Sequence, residues 1–242
     1  MTDRCVYIFM PTYTGSPRAE TFHALVNEVD ILRTRGWHTH TKFTVGDSLI
    51  ARSRNMAVAD FLHNPKYTDL VMIDDDVNWE DGALARLMTH DVDVVAGLYP
   101  KRVEPLEFPC KSLPDACPDG NGLLEMRMVP TGFLRIKRHV LEKMVAAYPQ
   151  RAYREAQVPG GKAWALFWLE LLADDDAPAP DGLADMWGED FTFCRLWRDL
   201  GGRIFADTLL SFQHIGRKAY SGCYAEHYPY SPHFTGNLNS AA

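Results

Sequence analysis

Residues 70–79 read Leu-Val-Met-Ile-Asp-Asp-Asp-Val-Asn-Trp, LVMIDDDVNW. The short apolar run LVMI suits a strand covered on both faces. Aspartate is depleted in strands, so three together at a strand end are costly unless they have a task. Side chains alternate along a strand, which projects Asp74 and Asp76 to one side and Asp75 to the other. Two carboxylates on one side suit a hard divalent cation, Mn²⁺ or Mg²⁺. The carboxyl end of a parallel strand is also where α/β sheets bind ligands. A solvated loop that caps the next helix is the plainer alternative.

Working outward, Cys5–Met10 (CVYIFM) reads as a first buried strand that stops at Pro11, which has no N–H for a ladder. Ser16-Pro17 reads as a helix start, with Phe22, Leu25, Val26, Val29 and Leu32 at helical spacing and Gly36 closing the helix. Asp47 or Ser48 is placed to cap a second helix running to about Leu62, Glu80–His90 suits a short helix and Asp93–Tyr99 a strand. The order β-α-(β)-α-β-α-β implies an α/β fold: a mostly parallel sheet with helices on both faces. Beyond Tyr99 the pattern is less regular. Pro100–Gly122 reads as a long loop, Val129–Ile136 as extended chain and Val140–Tyr148 as a helix. Residues 149–187 read as a loop or lid holding an apolar helix (AWALFWLELLA, 163–173) and the tract DDDAPAPDG at 174–182. A late helix spans Phe191–Leu200, two short strands lie near 203–206 and 209–212, and a tail rich in tyrosine and histidine follows from His214.

The 242 residues suffice for a sizeable core, and 46% hydrophobic with 24% charged residues is ordinary for a globular chain. No window approaches the roughly 18 consecutive apolar residues of a membrane span. The start MTDRCVYIFMPTY lacks the pattern of a signal peptide, so a cytoplasmic location is expected. The five cysteines are odd in number and form no CxxC pair, which fits reduced thiols. A formal net charge of −7 argues mildly against a whole-surface nucleic-acid binder.

Three further clusters bear on chemistry. Trp187-Gly188-Glu189-Asp190 opens the late helix; its acidic residues either favour the helix dipole or supply a general base. His214 precedes Gly216-Arg217-Lys218; it is either structural or a metal ligand, with Arg217 and Lys218 beside it to meet phosphate charge. Arg52-Ser53-Arg54-Asn55 lies on the second helix, either as a solvated face or with one arginine turned toward the acidic strand end or a phosphate.

Together these clusters resemble the GT-A fold glycosyltransferases, most closely the family-two-like branch. The matches are Met10-Pro11-Thr12-Tyr13 for the loop bordering the nucleotide and Arg54-Asn55 for the arginine-asparagine pair. Asp74-Asp75-Asp76 matches the DxD motif, Pro130-Thr131-Gly132-Phe133 the acceptor-side strand, Gly188-Glu189-Asp190 the xED motif and His214 the C-terminal metal histidine. The six occur in family order over nearly the whole chain. The resemblance implies a Rossmann-like GT-A domain over 1–242, with a nucleotide-binding half (1–99) and an acceptor half (100–242) whose loops lie near 100–128 and 149–187. It implies Mn²⁺ or Mg²⁺ on Asp76, Asp74 and His214. Asp190 would be the base of an inverting transfer, with Glu189 beside it. Pro11, Thr12, Tyr13, Arg52, Arg54, Asn55, Asp74, Asp75, Arg217 and Lys218 would hold a nucleoside-diphosphate sugar, a UDP-sugar first among them. Gly132, Trp187 and Gly188 would lie on the acceptor side. Two features depart from the family: Met56-Ala57 stands where a glycine is usual, and the two long loops fall outside the shared core.

The chain is also similar to small glycosyltransferases encoded by tailed bacteriophages, some of which decorate hydroxymethylated pyrimidines in DNA. The acceptor classes are therefore a glycan, a protein or modified DNA. For DNA, Lys101, Arg102, Arg135, Lys137, Arg138, Arg217 and Lys218 are the candidates to line a groove; ordinary surface charges are the plainer alternative. Two other classes use similar residues. A nucleotidyltransferase would release pyrophosphate, and usually needs a more glycine-rich loop than PTYTGSPR at 11–18. A non-catalytic binding module would have no use for a base at Asp190.

Overall fold

The computed structural model describes residues 4–172, 181 and 183–228. The tract at 174–182, except Asp181, and the tail beyond Tyr228 lie outside the described residues. In chain order the elements are β1 (Cys5–Thr12), α1 (Ala19–Thr34), β2 (His38–Val45), α2 (Ile50–His63), β3 (Asp69–Ile73), β4 (Val77–Trp79), α3 (Ala83–Leu87) and β5 (Val94–Gly97). After them come β6 (Lys111–Ser112), β7 (Leu123–Met128), β8 (Phe133–Lys137), α4 (Arg138–Ala147), β9 (Ala152–Arg154), β10 (Lys162–Trp164), β11 (Glu170–Leu172) and β12 (Asp185–Trp187). The last are α5 (Glu189–Asp199), β13 (Ile204–Asp207), β14 (Ser211–Ile215), β15 (Ala219–Cys223) and α6 (Tyr224–His227).

Eight strands form one sheet in the order β2-β1-β3-β8-β5-β13-β7-β6. β1 runs parallel to β2 and β3, and β5 parallel to β13. β8 is antiparallel to both β3 and β5, and β7 to β13 and β6, so only β8 and β7 oppose the common direction. The expected mixed, mostly parallel sheet flanked by helices is what forms. Alternation in β1 divides the core. Tyr7 and Phe9 pack with Val58 and Phe61 of α2, Leu141 of α4 and Phe193 and Trp197 of α5. Val6, Ile8 and Met10 pack on the other face with Leu25 and Leu32 of α1 and Leu84 and Leu87 of α3. A small sheet, β15-β14-β4, joins the segment after the three aspartates to the C-terminal region, pairing His214 with Val77.

Several expectations are corrected. β1 continues through Pro11 to Thr12; β3 pairs with β1 only as far as Phe9, so a residue without an N–H is tolerated beyond it. α1 starts at Ala19 without a side-chain cap, not at Ser16-Pro17. α2 starts at Ile50, and Asp47 accepts the Leu49 N–H at 3.0 Å instead of capping the helix. The stretch 129–136 is extended but joins a ladder only from Phe133. Residues 163–173 hold no helix among those described: β10 and β11 lie there, each in its own hairpin. Ala163, Leu166 and Phe167 are buried while Trp168, Leu169 and Leu171 are exposed, a split that no single helical stripe provides.

Candidate functional site

β1 and β3 end side by side, and the loops after them open onto a cavity of about 810 Å³. Pro11, Thr12 and Tyr13, the three aspartates, Asp190 and His214 all line it. β3 stops at Ile73, so residues 74–76 form a turn and strand alternation does not govern them. The turn is pinned by its backbone: the Asp74 N–H donates to Gly132 O at 3.0 Å, Asp75 O accepts from Arg18 N at 2.9 Å, and Asp76 O accepts from Ile215 N at 2.8 Å. Asp75 therefore lines the cavity with its neighbours instead of facing away.

Arg54, on α2, is the inward arginine. It is 4% exposed, donates from Nη2 to Asp74 Oδ1 at 2.9 Å and from Nε to Thr131 Oγ1 at 2.7 Å. Its Nε also lies 3.9 Å from Glu189. Burial works against its charge, but Asp74 and Glu189 outweigh this and hold its pKa above the ordinary value. Gly132 has no room for a side chain: a Cβ there would sit 2.5 Å from the Tyr99 hydroxyl and 2.7 Å from Asp74 Oδ2. Its N–H donates to Tyr99 Oη at 3.2 Å. This glycine thus holds Asp74 and Tyr99 together.

Asp76 meets two groups. His214 Nε2 stands 3.4 Å from its Oδ1, and the Arg102 guanidinium is in contact with its Oδ2. His214 Nδ1 is 2.9 Å from Pro100 O, a carbonyl that accepts, so Nδ1 carries the proton and the neutral ring presents a bare Nε2 to the cavity. Burial, the largest influence, lowers its pKa and keeps the ring neutral. An Asp carboxylate beside a bare imidazole nitrogen is a donor pair that fits Mn²⁺ or Mg²⁺, cations that fill their remaining positions with water and phosphate oxygens. Among the described residues no three His, Cys, Asp or Glu side chains form a complete cage.

Asp190 lies in the first turn of α5, after Gly188 in the N-cap position. A Cβ on Gly188 would come within 2.9 Å of Asp190 Oδ1. Desolvation first, and then the Glu189 charge, push the Asp190 carboxyl up to about 6; Arg54 and the Phe191 N–H, which donates at 2.9 Å, oppose this. Trp187 is buried and pairs with Glu170 across β11 and β12.

Other expected ligand residues are engaged elsewhere. Arg52 clamps Glu155 with two bonds of 2.8 Å and reaches Asp47 at 3.0 Å. Asn55 is buried and grips the Phe167 backbone, donating to its O at 2.8 Å and accepting from its N at 2.9 Å. It anchors the segment after β10 and does not line the cavity. Arg217 and Lys218 do not line it either, and Lys218 pairs with Glu104. Of the basic residues considered for a DNA groove, only Lys101 and Arg102 reach the cavity. Arg135 is wholly buried, and Arg138 donates to backbone carbonyls of Phe61, Leu62, Asn64 and Tyr67. Tyr99 was not anticipated as a site residue, although its position just past β5 marks a strand end.

The chain matches no protein-family model and no curated protein sequence. Among solved structures it is similar to the protein A197 from STIV, with 17% identity, a TM-score of 0.51, and 88% of this chain and 86% of that chain covered. It is also similar to the catalytic domain of Drosophila β1,4-galactosyltransferase 7 in complex with xylobiose, with 13% identity, a TM-score of 0.43, and 97% and 77% covered. A third is 4-diphosphocytidyl-2C-methyl-D-erythritol synthase from Anaerococcus prevotii, with 7% identity, a TM-score of 0.36, and 64% and 79% covered. At such identities the first likeness bears on the fold alone. Among the described residues no helix is long and apolar enough to cross a membrane.

Proposed function

We propose that this chain is a GT-A glycosyltransferase that moves a sugar from a nucleoside-diphosphate sugar, a UDP-sugar first, to an acceptor hydroxyl with inversion. The observation that carries this reading is the convergence in one cleft of a desolvated carboxylate, Asp190, with the Asp76–His214 donor pair at the ends of β1 and β3. Asp190 takes the proton from the acceptor hydroxyl as its oxygen forms a bond to the anomeric carbon. The bond from that carbon to the diphosphate oxygen breaks, and the nucleoside diphosphate leaves with the electron pair. Asp76 and His214 would hold a divalent cation, which would supply charge stabilisation for the departing diphosphate. Arg54 fixes Asp74 within this cleft, and Gly132 keeps the space between Asp74 and Tyr99 closed. The acceptor is a glycan hydroxyl before a hydroxymethylated pyrimidine in DNA, because Arg135 is buried, Arg138 is engaged with backbone carbonyls, and Lys101 and Arg102 alone of the candidate cations line the cavity.

A thermal-shift screen of UDP, GDP, ADP and dTDP with and without Mn²⁺ tests the donor side, since a ligand of the folded state raises its apparent stability. One diphosphate is expected to stabilise the protein strongly only with the metal. The matching nucleotide sugar should then release a nucleoside diphosphate. Release of pyrophosphate from a sugar phosphate and nucleoside triphosphate would instead make the chain a nucleotidyltransferase.

A further inference from the structure

Arg102 stands where a metal-binding carboxylate should be free. Its guanidinium contacts Asp76 Oδ2, while His214 faces Oδ1 of the same group. Arg102 is carried by the segment that follows Pro100, whose carbonyl accepts from His214 Nδ1. That segment is tied down around Arg102: the Lys101 N–H donates to Glu107 O at 2.7 Å, Lys101 Nζ lies 3.0 Å from Glu107 Oε2, and Glu104 pairs with Lys218. At Gly216 a Cβ would lie 3.0 Å from Arg102 Cδ, so the glycine leaves the arginine its place. Among the described residues lining the cavity, Lys101 and Arg102 are the permanent cations beside the aspartates at 47, 74, 75, 76 and 190; Arg52 and Arg54 pair with Asp47 and Asp74 from behind the lining.

A diphosphate cannot enter such a carboxylate-rich cleft without cations to meet it, and a divalent ion competes with Arg102 for Asp76. Resting on the glycosyltransferase reading, we propose that Arg102 is an exchangeable latch: it neutralises Asp76 in the empty cleft and transfers to the donor's diphosphate when the nucleotide binds. The exchange would free Asp76 Oδ2 to hold a cation beside His214. Metal and nucleotide then bind with positive coupling, because neither alone displaces the ion pair at full strength. Arg102 is half-exposed (39%) and Asp76 24% exposed, so the pair is solvent-screened and weak enough to exchange. In the Arg54–Asp74 pair beside it the guanidinium itself is buried, at 4% exposure, so that arginine has no such freedom.

Calorimetric titration separates the latch from the reading on which it rests. The wild-type protein, Arg102→Met and Gly216→Ala are titrated with Mn²⁺ alone, with the nucleoside diphosphate selected from UDP, GDP, ADP and dTDP, and with both. In Arg102→Met, Mn²⁺ alone is expected to bind at least about fivefold tighter and the nucleotide with Mn²⁺ about tenfold weaker, so the coupling collapses. Gly216→Ala presses on Arg102 Cδ and keeps its charge; Mn²⁺ alone should tighten less than in Arg102→Met while the nucleotide is held far better than in that variant. If both variants keep wild-type Mn²⁺ affinity and wild-type coupling while the nucleotide still binds with metal, the latch is overturned and the glycosyltransferase reading stands. If the wild-type protein binds none of the four diphosphates with Mn²⁺, that reading falls and the latch with it.

Discussion

The two sides of the cleft are built differently. On the side formed before residue 100, the ligand-facing residues follow strands β1, β3 and β5, whose residues are almost all buried and whose ladders set their register. On the later side, Asp190 comes from the first turn of a helix and His214 from a small three-stranded sheet. The hairpin of β11 and β12 that precedes Asp190 exposes Leu171 and Met186, each at 70%. The ion pairs repeat the contrast. Arg54, 4% exposed, is enclosed by Thr131 and Glu189 as it holds Asp74, whereas Arg102, 39% exposed, meets Asp76 from the solvent side; the two aspartates themselves are similarly accessible. Under the proposed reaction, the earlier side would fix where a donor sits and the later side would carry Arg102 and Asp190, the groups that exchange a partner or a proton.

The largest expected effect isolates the later side. Asp190→Asn should lower kcat by about a thousandfold, the scale of a lost general base, while metal-dependent nucleotide affinity stays within about twofold. Steady-state kinetics beside calorimetry would show this; unchanged turnover would remove Asp190 from the mechanism. The next effect isolates the buried side. Arg54→Met leaves Asp74 and Thr131 without their partner and should cost about 3 kcal/mol in denaturant unfolding. Arg102→Met should cost less than about 0.5 kcal/mol in the same assay. Equal losses in the two variants would erase the distinction between a structural pair and an exchangeable one.

Legibility in the sequence followed the same division. β1, β3 and β5 were readable because strands buried on both faces leave unbroken apolar runs, and α4 and α5 because one face of each is apolar. Asp74 and Asp76 after a strand and Asp190 at a helix start could be singled out because such places mark themselves chemically; together with His214 they line the cleft. Residues 163–173 misled because their apolar side chains divide between Phe167, drawn inward by Asn55, and Trp168, Leu169 and Leu171, left outside. Composition does not encode that division. The contacts of Arg52 and Asn55 were hidden for a related reason: their partners, Glu155 and Phe167, lie 103 and 112 residues away. Arg102 could be seen only as one of several surface cations, because its placement depends on the long-range bond between His214 and Pro100.

The last effect concerns how the later side tunes its base. Asp190 is held at about 6 against an ordinary 3.8, by desolvation first and by Glu189 second. A base must be ionised, so turnover should rise with pH through about 6. Glu189→Gln removes a negative neighbour, favours the ionised Asp190 and moves the acid limb to lower pH; a limb that stays put would leave desolvation as the whole cause. Stability carries the opposite sign. A folded-state pKa above the unfolded value means that the folded protein holds this proton more tightly. The resulting stability is present in full below about 3.8 and lost as pH rises through about 6. Asp190→Asn escapes that loss, so at pH 8 it should be more stable than the wild-type protein by up to about 3 kcal/mol, and near pH 4 by little. Glu189→Gln should show a smaller part of the same gain, because it relieves only the like-charge contribution and gives up its own attraction to Arg54 at 3.9 Å. A variant that is more stable at high pH and yet inactive is what a desolvated base requires, since the cost of burying its charge is inseparable from its readiness to accept a proton.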